Sequence, residues 1–129
     1  MSEATVRKQR PKFLALHEIR LPLPGIVSIF HRVSGAGLFL FLPFLLYLFD
    51  RSLGSPESFA AYQSVVANPL VKLVLLGLLW SYLHHFCAGI RFLFLDLDKG
   101  VDLPTARNTS RIVLVVSIAL TVIIGVKLW

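Results

Sequence analysis

The chain has 129 residues, of which 56% are hydrophobic, and carries a formal net charge of +6 at pH 7. The composition excludes an ordinary soluble domain, because the apolar residues are concentrated in three runs, each close to the roughly 20 residues that cross a hydrocarbon core. It also argues against nucleic-acid binding, since the basic residues flank these runs and do not alternate with exposed aromatics. The runs cover residues 33–49, 73–90 and 112–126.

The three runs predict an all-α membrane protein with three transmembrane helices and a cytoplasmic N-terminus. Helices are predicted because backbone groups in lipid must hydrogen-bond within their own segment, and no run alternates with a period of two as a barrel strand does. A polar, basic arm forms the N-terminal part, and a three-helix anchor domain in the lipid bilayer follows it. The predicted arm covers residues 1–24, the anchor domain residues 25–129, and its helices about 25–50, 69–95 and 111–128.

Two polar connections separate the predicted helices. The first covers residues 51–68, and its part 57–66 has the pattern of a short amphipathic turn at the surface. The second covers residues 96–110 and contains a turn signal at 98–100, Asp-Lys-Gly. Pro43 lies inside the first helix and is predicted to kink it.

The distribution of lysine and arginine predicts the orientation. These residues concentrate in the N-terminal flank and in the second connection, whereas the first connection and the C-terminus carry few. By the positive-inside rule, the N-terminus and the second connection lie in the cytoplasm. Helices one and three then run outward, and helix two runs inward.

A reporter fused after Trp129 tests this orientation. We expect it to report the periplasmic side, or the intermembrane side in a mitochondrion, because the third helix runs outward. A second reporter, inserted after Gly100, serves as the control and should report the cytoplasm. A cytoplasmic signal from the fusion at Trp129 would contradict the orientation.

Polar residues near the start of the first helix form one candidate site. Ser28, His31 and Arg32 are spaced i, i+3 and i+4 and therefore share a helix face. The hydroxyl and the guanidinium are suited to bind a carbonyl or an anionic ligand at the membrane border. The alternative is that Arg32 extends to the interface while Ser28 bonds to a carbonyl of its own helix.

Two adjacent histidines, His84 and His85, lie inside the second span. An ionisable residue there is a functional hypothesis by default, and a neutral imidazole is a haem-iron ligand. Adjacent helix residues point roughly 100° apart, so one metal is not easily bound by both. Gly89, one turn after His85, offers space for a planar ring. Hydrogen bonding of either histidine to a neighbouring helix is the alternative, and both histidines remain candidate ligands at this point.

Arg91 lies near the end of the second helix. Its guanidinium is a charge-assisted donor for a haem propionate or a lipid phosphate. The alternative is a positive anchor that extends to the interface without a specific ligand.

Two segments resemble a known family. Ser28-Ile29-Phe30-His31-Arg32-Val33-Ser34-Gly35 resembles the S-I-x-H-R-x-[ST]-G signature of the cytochrome b subunit of succinate dehydrogenase. His85-Phe86-Cys87-Ala88-Gly89-Ile90-Arg91 resembles the H-x-x-x-G-[IL]-R motif of that family. Asp96, Arg10-Pro11 and the run Ile19-Arg20-Leu21-Pro22 also match its pattern, so that the resemblance covers nearly the whole chain.

The resemblance implies a haem b- and ubiquinone-binding anchor subunit of succinate dehydrogenase in the inner (cytoplasmic) membrane. Such a subunit carries electrons from the iron–sulfur subunit to quinone, and a flavoprotein subunit completes the soluble part. Haem b is shared with a second small membrane anchor subunit, and His85 takes the position of the axial iron ligand. His31 and Arg32 are expected near the propionates, with Arg91 as a further cofactor contact. Ser28 and Arg32 are expected to bind quinone.

The chain departs from the family at two positions. Many members have histidine where this chain has Phe92, so no role of that histidine carries over. His84 is additional to the pattern, which leaves a ligand shifted by one residue as an alternative.

Two other functions compete with this interpretation. One is a haem-free structural anchor of a fumarate reductase-like complex. The other is a small transporter or channel subunit, which predicts paired ionisable residues near the midplane that helices one and three lack. No catalytic residue for succinate oxidation itself is expected, because the chain has neither a GxGxxG-type fingerprint nor a cysteine set for a cluster.

Overall fold

The computed structural model describes residue 15 and residues 17–129. Most of the predicted arm, including the Arg10-Pro11 match, lies outside the described residues. The described part contains four helices. These are α1 (Leu23–Leu53), α2 (Pro56–Ala67), α3 (Pro69–Asp96) and α4 (Leu103–Leu128).

Three of these helices, α1, α3 and α4, are long and apolar enough to cross a membrane. This confirms the predicted all-α membrane class with three spans. Many large apolar side chains are exposed on their outer faces, among them Phe39, Leu73 and Val115. Such a surface is stable where lipid is the solvent and prone to aggregation in water, so that the chain is a multi-pass membrane protein.

The first helix is longer than predicted at both ends. It begins at Leu23, with Pro24 in its first turn, and continues through Pro43 to Leu53. Proline suits the first turn because its missing N–H would have no helical partner there. The last turn extends beyond the apolar run and carries Arg51.

A short helix, α2, occupies most of the first connection, where the sequence indicated only a turn. The Ser55 hydroxyl oxygen accepts from the Ser58 amide at 3.3 Å and caps its start. The Asn68 side chain in turn caps α3 by accepting from the Leu70 amide at 2.9 Å. Local caps therefore define helix boundaries that hydropathy does not show.

The last helix begins at Leu103, well ahead of the predicted start at residue 111. The Asp102 carboxylate accepts from the Thr105 amide at 3.0 Å, and hydrogen bonds from Thr105 hold the pKa of Asp102 below its usual range. The prediction was wrong because the first turns of α4 are polar and were assigned to a loop. An N-cap aspartate with Pro104 in the first turn is the signal that locates this start.

The turn between α3 and α4 is confirmed at residues 98–100. Asp98 has a φ of 55° and Gly100 a φ of 74°. The Lys99 amide donates to the Phe94 carbonyl at 2.9 Å, and the Asp98 amide donates to the Leu95 carbonyl at 3.0 Å. These two bonds form a Schellman closure, which reverses the chain tightly and brings α4 back along α3.

Packing centres on α3, which contacts both α1 and α4. Val27, Ala88 and Val113, one from each helix, form a buried apolar cluster. On α4, the hydroxyls of Ser117 and Thr121 donate to carbonyls of their own helix, so that these small side chains can be buried. The start of α1, the end of α3 and the start of α4 consequently lie at one end of the bundle.

Candidate functional site

The His85 side chain reaches from α3 to the backbone of α1. Its Nδ1 lies 3.0 Å from the His31 carbonyl oxygen and 3.3 Å from the Ser34 hydroxyl oxygen. A carbonyl oxygen only accepts, so Nδ1 carries the proton and donates. In the neutral tautomer with this proton on Nδ1, the lone pair is on Nε2, which is the arrangement that a metal-ligating histidine requires.

The His85 ring is stacked on a second imidazole. The rings of His31 and His85 are stacked, with centroids 4.0 Å apart and planes inclined by 11°. The Phe92 ring also contacts the His31 ring, with centroids 5.0 Å apart and planes inclined by 59°. Both histidines are half-buried, so that the edge of the α1–α3 contact presents an imidazole to the outside.

Gly35 allows His85 to lie against α1. A Cβ atom at this position would come within 2.8 Å of His85 Cε1 and 3.2 Å of His85 Nδ1. Side chains larger than hydrogen therefore exclude the observed position of the ring. At Gly89, by contrast, a Cβ would lie at an ordinary 3.8 Å from His31 Nε2.

His84 differs from His85 both in burial and in hydrogen bonding. It is 0% exposed and is stacked on Trp80 at 5.1 Å, with Phe30 at 5.9 Å. The Val27 carbonyl faces the ring, but neither ring nitrogen makes a hydrogen bond of acceptable geometry within the described residues. His84 is therefore fully covered at the α1–α3 contact, whereas His85 is partly exposed there.

Ser28 and Arg32 lie on α1 beside the histidine pair. Ser28 is half-buried and Arg32 is exposed. The Ser34 hydroxyl donates to its own helix at the His31 carbonyl, whereas none of the hydrogen bonds found in the described part of the chain involves the Ser28 hydroxyl. A free hydroxyl and a guanidinium therefore lie one turn apart, and Arg32 is adjacent to His31.

The hydrogen bonds of Arg91 are to α4 and not to the histidine pair. Its side chain is 7% exposed, its Nε donates to the Thr109 hydroxyl at 3.0 Å, and its Nη2 lies 3.5 Å from the Ala106 carbonyl. Both partners are on α4. Arg91 is six positions after His85, which places the two residues about 120° apart around α3. The contact of Arg91 with a haem propionate stays a prediction.

Comparison with known proteins assigns the chain to a family. The model of the family described as succinate dehydrogenase/fumarate reductase transmembrane subunit matches residues 6–124. The chain belongs to this family. It is 38% identical to the succinate dehydrogenase cytochrome b556 subunit of Coxiella burnetii, over 94% of this chain and 98% of the relative. It is 32% identical to the subunit of the same name from Paracoccus denitrificans, over 91% of this chain and 90% of the relative.

Three features of this region could not be predicted from the sequence. In the sequence Gly35 is only the last residue of the first motif, whereas the structure gives it a specific neighbour in His85. The bond from His85 to the His31 carbonyl has no sequence signal, because any residue carries a carbonyl. Thr109, the partner of Arg91, lies in the segment that had been assigned to a loop.

Proposed function

We propose that this chain is the haem b- and ubiquinone-binding membrane anchor subunit of succinate dehydrogenase. The observation that carries the proposal is the geometry of His85, whose Nδ1 lies 3.0 Å from the His31 carbonyl oxygen in a side chain that is only partly buried. Across the described residues, no group of three or more histidine, cysteine or acidic side chains is placed to hold a metal ion. With Nδ1 engaged by the His31 carbonyl, His85 is suited to give one ligand, through Nε2, to an iron that a partner completes.

The residues around His85 fit a flat, anionic cofactor. The His31 carbonyl and the Ser34 hydroxyl fix the plane of the imidazole, as hydrogen bonds to the far nitrogen do for most metal-ligating histidines. His31 and the exposed Arg32 lie beside it and can donate to propionates. When bound, haem b supplies a one-electron acceptor between this chain and a second small anchor subunit.

Quinone binding is proposed for Ser28 and Arg32. A carbonyl oxygen of ubiquinone accepts hydrogen bonds, and both side chains donate. Their position near the start of α1 suits electron arrival from the iron–sulfur subunit at the cytoplasmic face of the inner membrane. The flavoprotein subunit oxidises succinate, and this chain contributes no residue to that reaction.

Replacement of Arg32 by alanine tests the quinone site. We expect succinate–ubiquinone reductase activity of the complex to fall about tenfold or more, because a charge-assisted donor to the substrate is lost. Reduction of an artificial dye by the soluble subunits should persist at the level of the native complex. Ser28→Ala should act in the same direction with a smaller effect.

The matched control is Arg51→Ala, which removes an exposed arginine from the other end of α1. It should leave both activities unchanged. Equal loss of both activities in Arg32→Ala would indicate failed assembly, and unchanged ubiquinone reduction would contradict the assignment.

A further inference from the structure

A cavity of about 350 Å³ lies between the end of α3 and the start of α4. Its polar part is formed by Arg91 and Lys99, together with Thr105 and Thr109. Two basic residues and two threonines thus contribute to the lining of one mostly apolar cavity at this end of the bundle. The Schellman turn, through its bond from the Lys99 amide to the Phe94 carbonyl, positions Lys99 at the cavity.

Arg91 is a buried cation without a counter-charge in the described part of the chain. Its two hydrogen-bond partners, the Thr109 hydroxyl and the Ala106 carbonyl, are both neutral. Among the described residues, no carboxylate oxygen lies within 4.0 Å of it. A charge that is 93% removed from solvent is costly unless it is paired. The cavity is therefore suited to an anion.

The rest of the cavity is apolar and faces outward from the bundle. Ile90, Phe94 and Ile112 line it, and they are 42%, 56% and 53% exposed, respectively. A free phosphate would leave this part unfilled, whereas a phosphodiester with acyl chains matches both parts. Basic pockets between transmembrane helices are typical sites for anionic lipid head groups.

We propose that this pocket binds an anionic phospholipid, with its phosphate at Arg91 and Lys99 and its acyl chains along Ile90 and Phe94. The choice of lipid over protein rests on the proposed function, because the partner anchor subunit is expected on the His85 side of α3. Arg91 lies about 120° from His85 around that helix. The pocket thus remains on a side that lipid can reach.

The test is native mass spectrometry of the purified, delipidated complex titrated with phosphatidylglycerol or phosphatidylcholine. Arg91→Gln should weaken the binding of phosphatidylglycerol at least about fivefold, and Lys99→Gln should weaken it by a similar or smaller factor. Phosphatidylcholine should bind the native complex and both variants equally. The matched control is Arg107→Gln, an exposed arginine on α4 outside the lining, which should bind as the native complex does.

Three results would overturn the proposal. The first is equal affinity for phosphatidylglycerol in the native complex and in both variants. The second is displacement of the lipid by an equal concentration of inorganic phosphate. The third is a native complex that binds no phosphatidylglycerol in a way that depends on Arg91 or Lys99, which would show that a protein partner fills the pocket. If Arg91→Gln fails to assemble, Lys99→Gln decides the outcome alone.

The optical spectrum of the same samples separates this proposal from the proposed function. Loss of low-spin haem in Arg91→Gln with unchanged lipid affinity would assign Arg91 to a propionate and overturn the lipid site. A native complex without haem that still binds phosphatidylglycerol through Arg91 would overturn the proposed function and leave the lipid site intact.

Discussion

The variant His85→Ala is expected to convert the haem of the assembled complex from a low-spin to a high-spin form. The physical reason is the loss of one of the two imidazole ligands that the proposed function gives the iron, since the bond from Nδ1 to the His31 carbonyl leaves Nε2 of His85 for the metal. Electron paramagnetic resonance reads this change of ligation directly. Haem content is a weaker measure, because the ligand of the partner subunit and contacts from His31 and Arg32 can retain the group. Added imidazole should restore part of the low-spin signal by entering the space that His85 vacates.

His84→Phe is the matched control at the adjacent position. It retains a ring against Trp80 and Phe30 and removes two nitrogens that have no hydrogen-bond partner within the described residues. Because an unsatisfied buried polar group costs about 1–3 kcal/mol, the substitution should leave stability equal or improved, with an unchanged low-spin signal. Loss of that signal in His84→Phe, with an unchanged signal in His85→Ala, would shift the ligand to His84 and contradict the assignment.

The variant Gly35→Ala is expected to perturb the haem without touching a ligand. The new methyl group would lie 2.8 Å from His85 Cε1, so that the imidazole must leave its position and its bond to the His31 carbonyl. We expect most of the low-spin signal to be lost or broadened, together with an overpacking cost of about 1–3 kcal/mol. Electron paramagnetic resonance and thermal unfolding of the complex measure the two effects.

Gly37→Ala is the control that separates the steric clash at Gly35 from the general effect of replacing a helical glycine by alanine. A Cβ at Gly37 meets nothing within 4 Å, and the position lies on the same helix. This variant should gain up to about 1 kcal/mol from helix propensity and keep a native haem spectrum. If Gly35→Ala behaves in the same way as Gly37→Ala, then the position of the His85 ring against α1 is not required for ligation.

The spans could be predicted from the sequence, but their ends could not. Hydropathy locates a helix only where it lies in lipid, and the first turns of α4 are polar because they extend beyond the apolar segment. Asp102 and Ser55 mark two of the starts, since each caps its helix with a side-chain oxygen. A capping residue marks where a helix starts but does not show whether that helix lies in the membrane. Hydropathy and capping residues therefore have to be read together.

The residues of the site could be predicted, but their environments could not. Periodicity places His84 and His85 on different sides of α3 without showing which side α1 covers. The structure buries His84 completely and leaves His85 at the edge, which is a result of tertiary packing. The environment of Arg91 could not be predicted either, because its side chain hydrogen-bonds to Thr109 on α4, and the position of Thr109 depends on how α4 packs against α3. Helical spacing alone left both histidines as candidate ligands, and it was the resemblance of the second motif that favoured His85.

Haem ligation by this chain is tested most directly by a reduced-minus-oxidised optical spectrum of the purified native complex, recorded beside that of His85→Ala. We predict the sharp bands of a low-spin b-type haem in the native complex, at one haem for each copy of this chain, and their loss or strong perturbation in the variant. A native complex that reduces quinone from succinate but shows no haem bands would contradict the account. It would identify the chain as a haem-free structural anchor, in which His85 serves only to join α3 to α1.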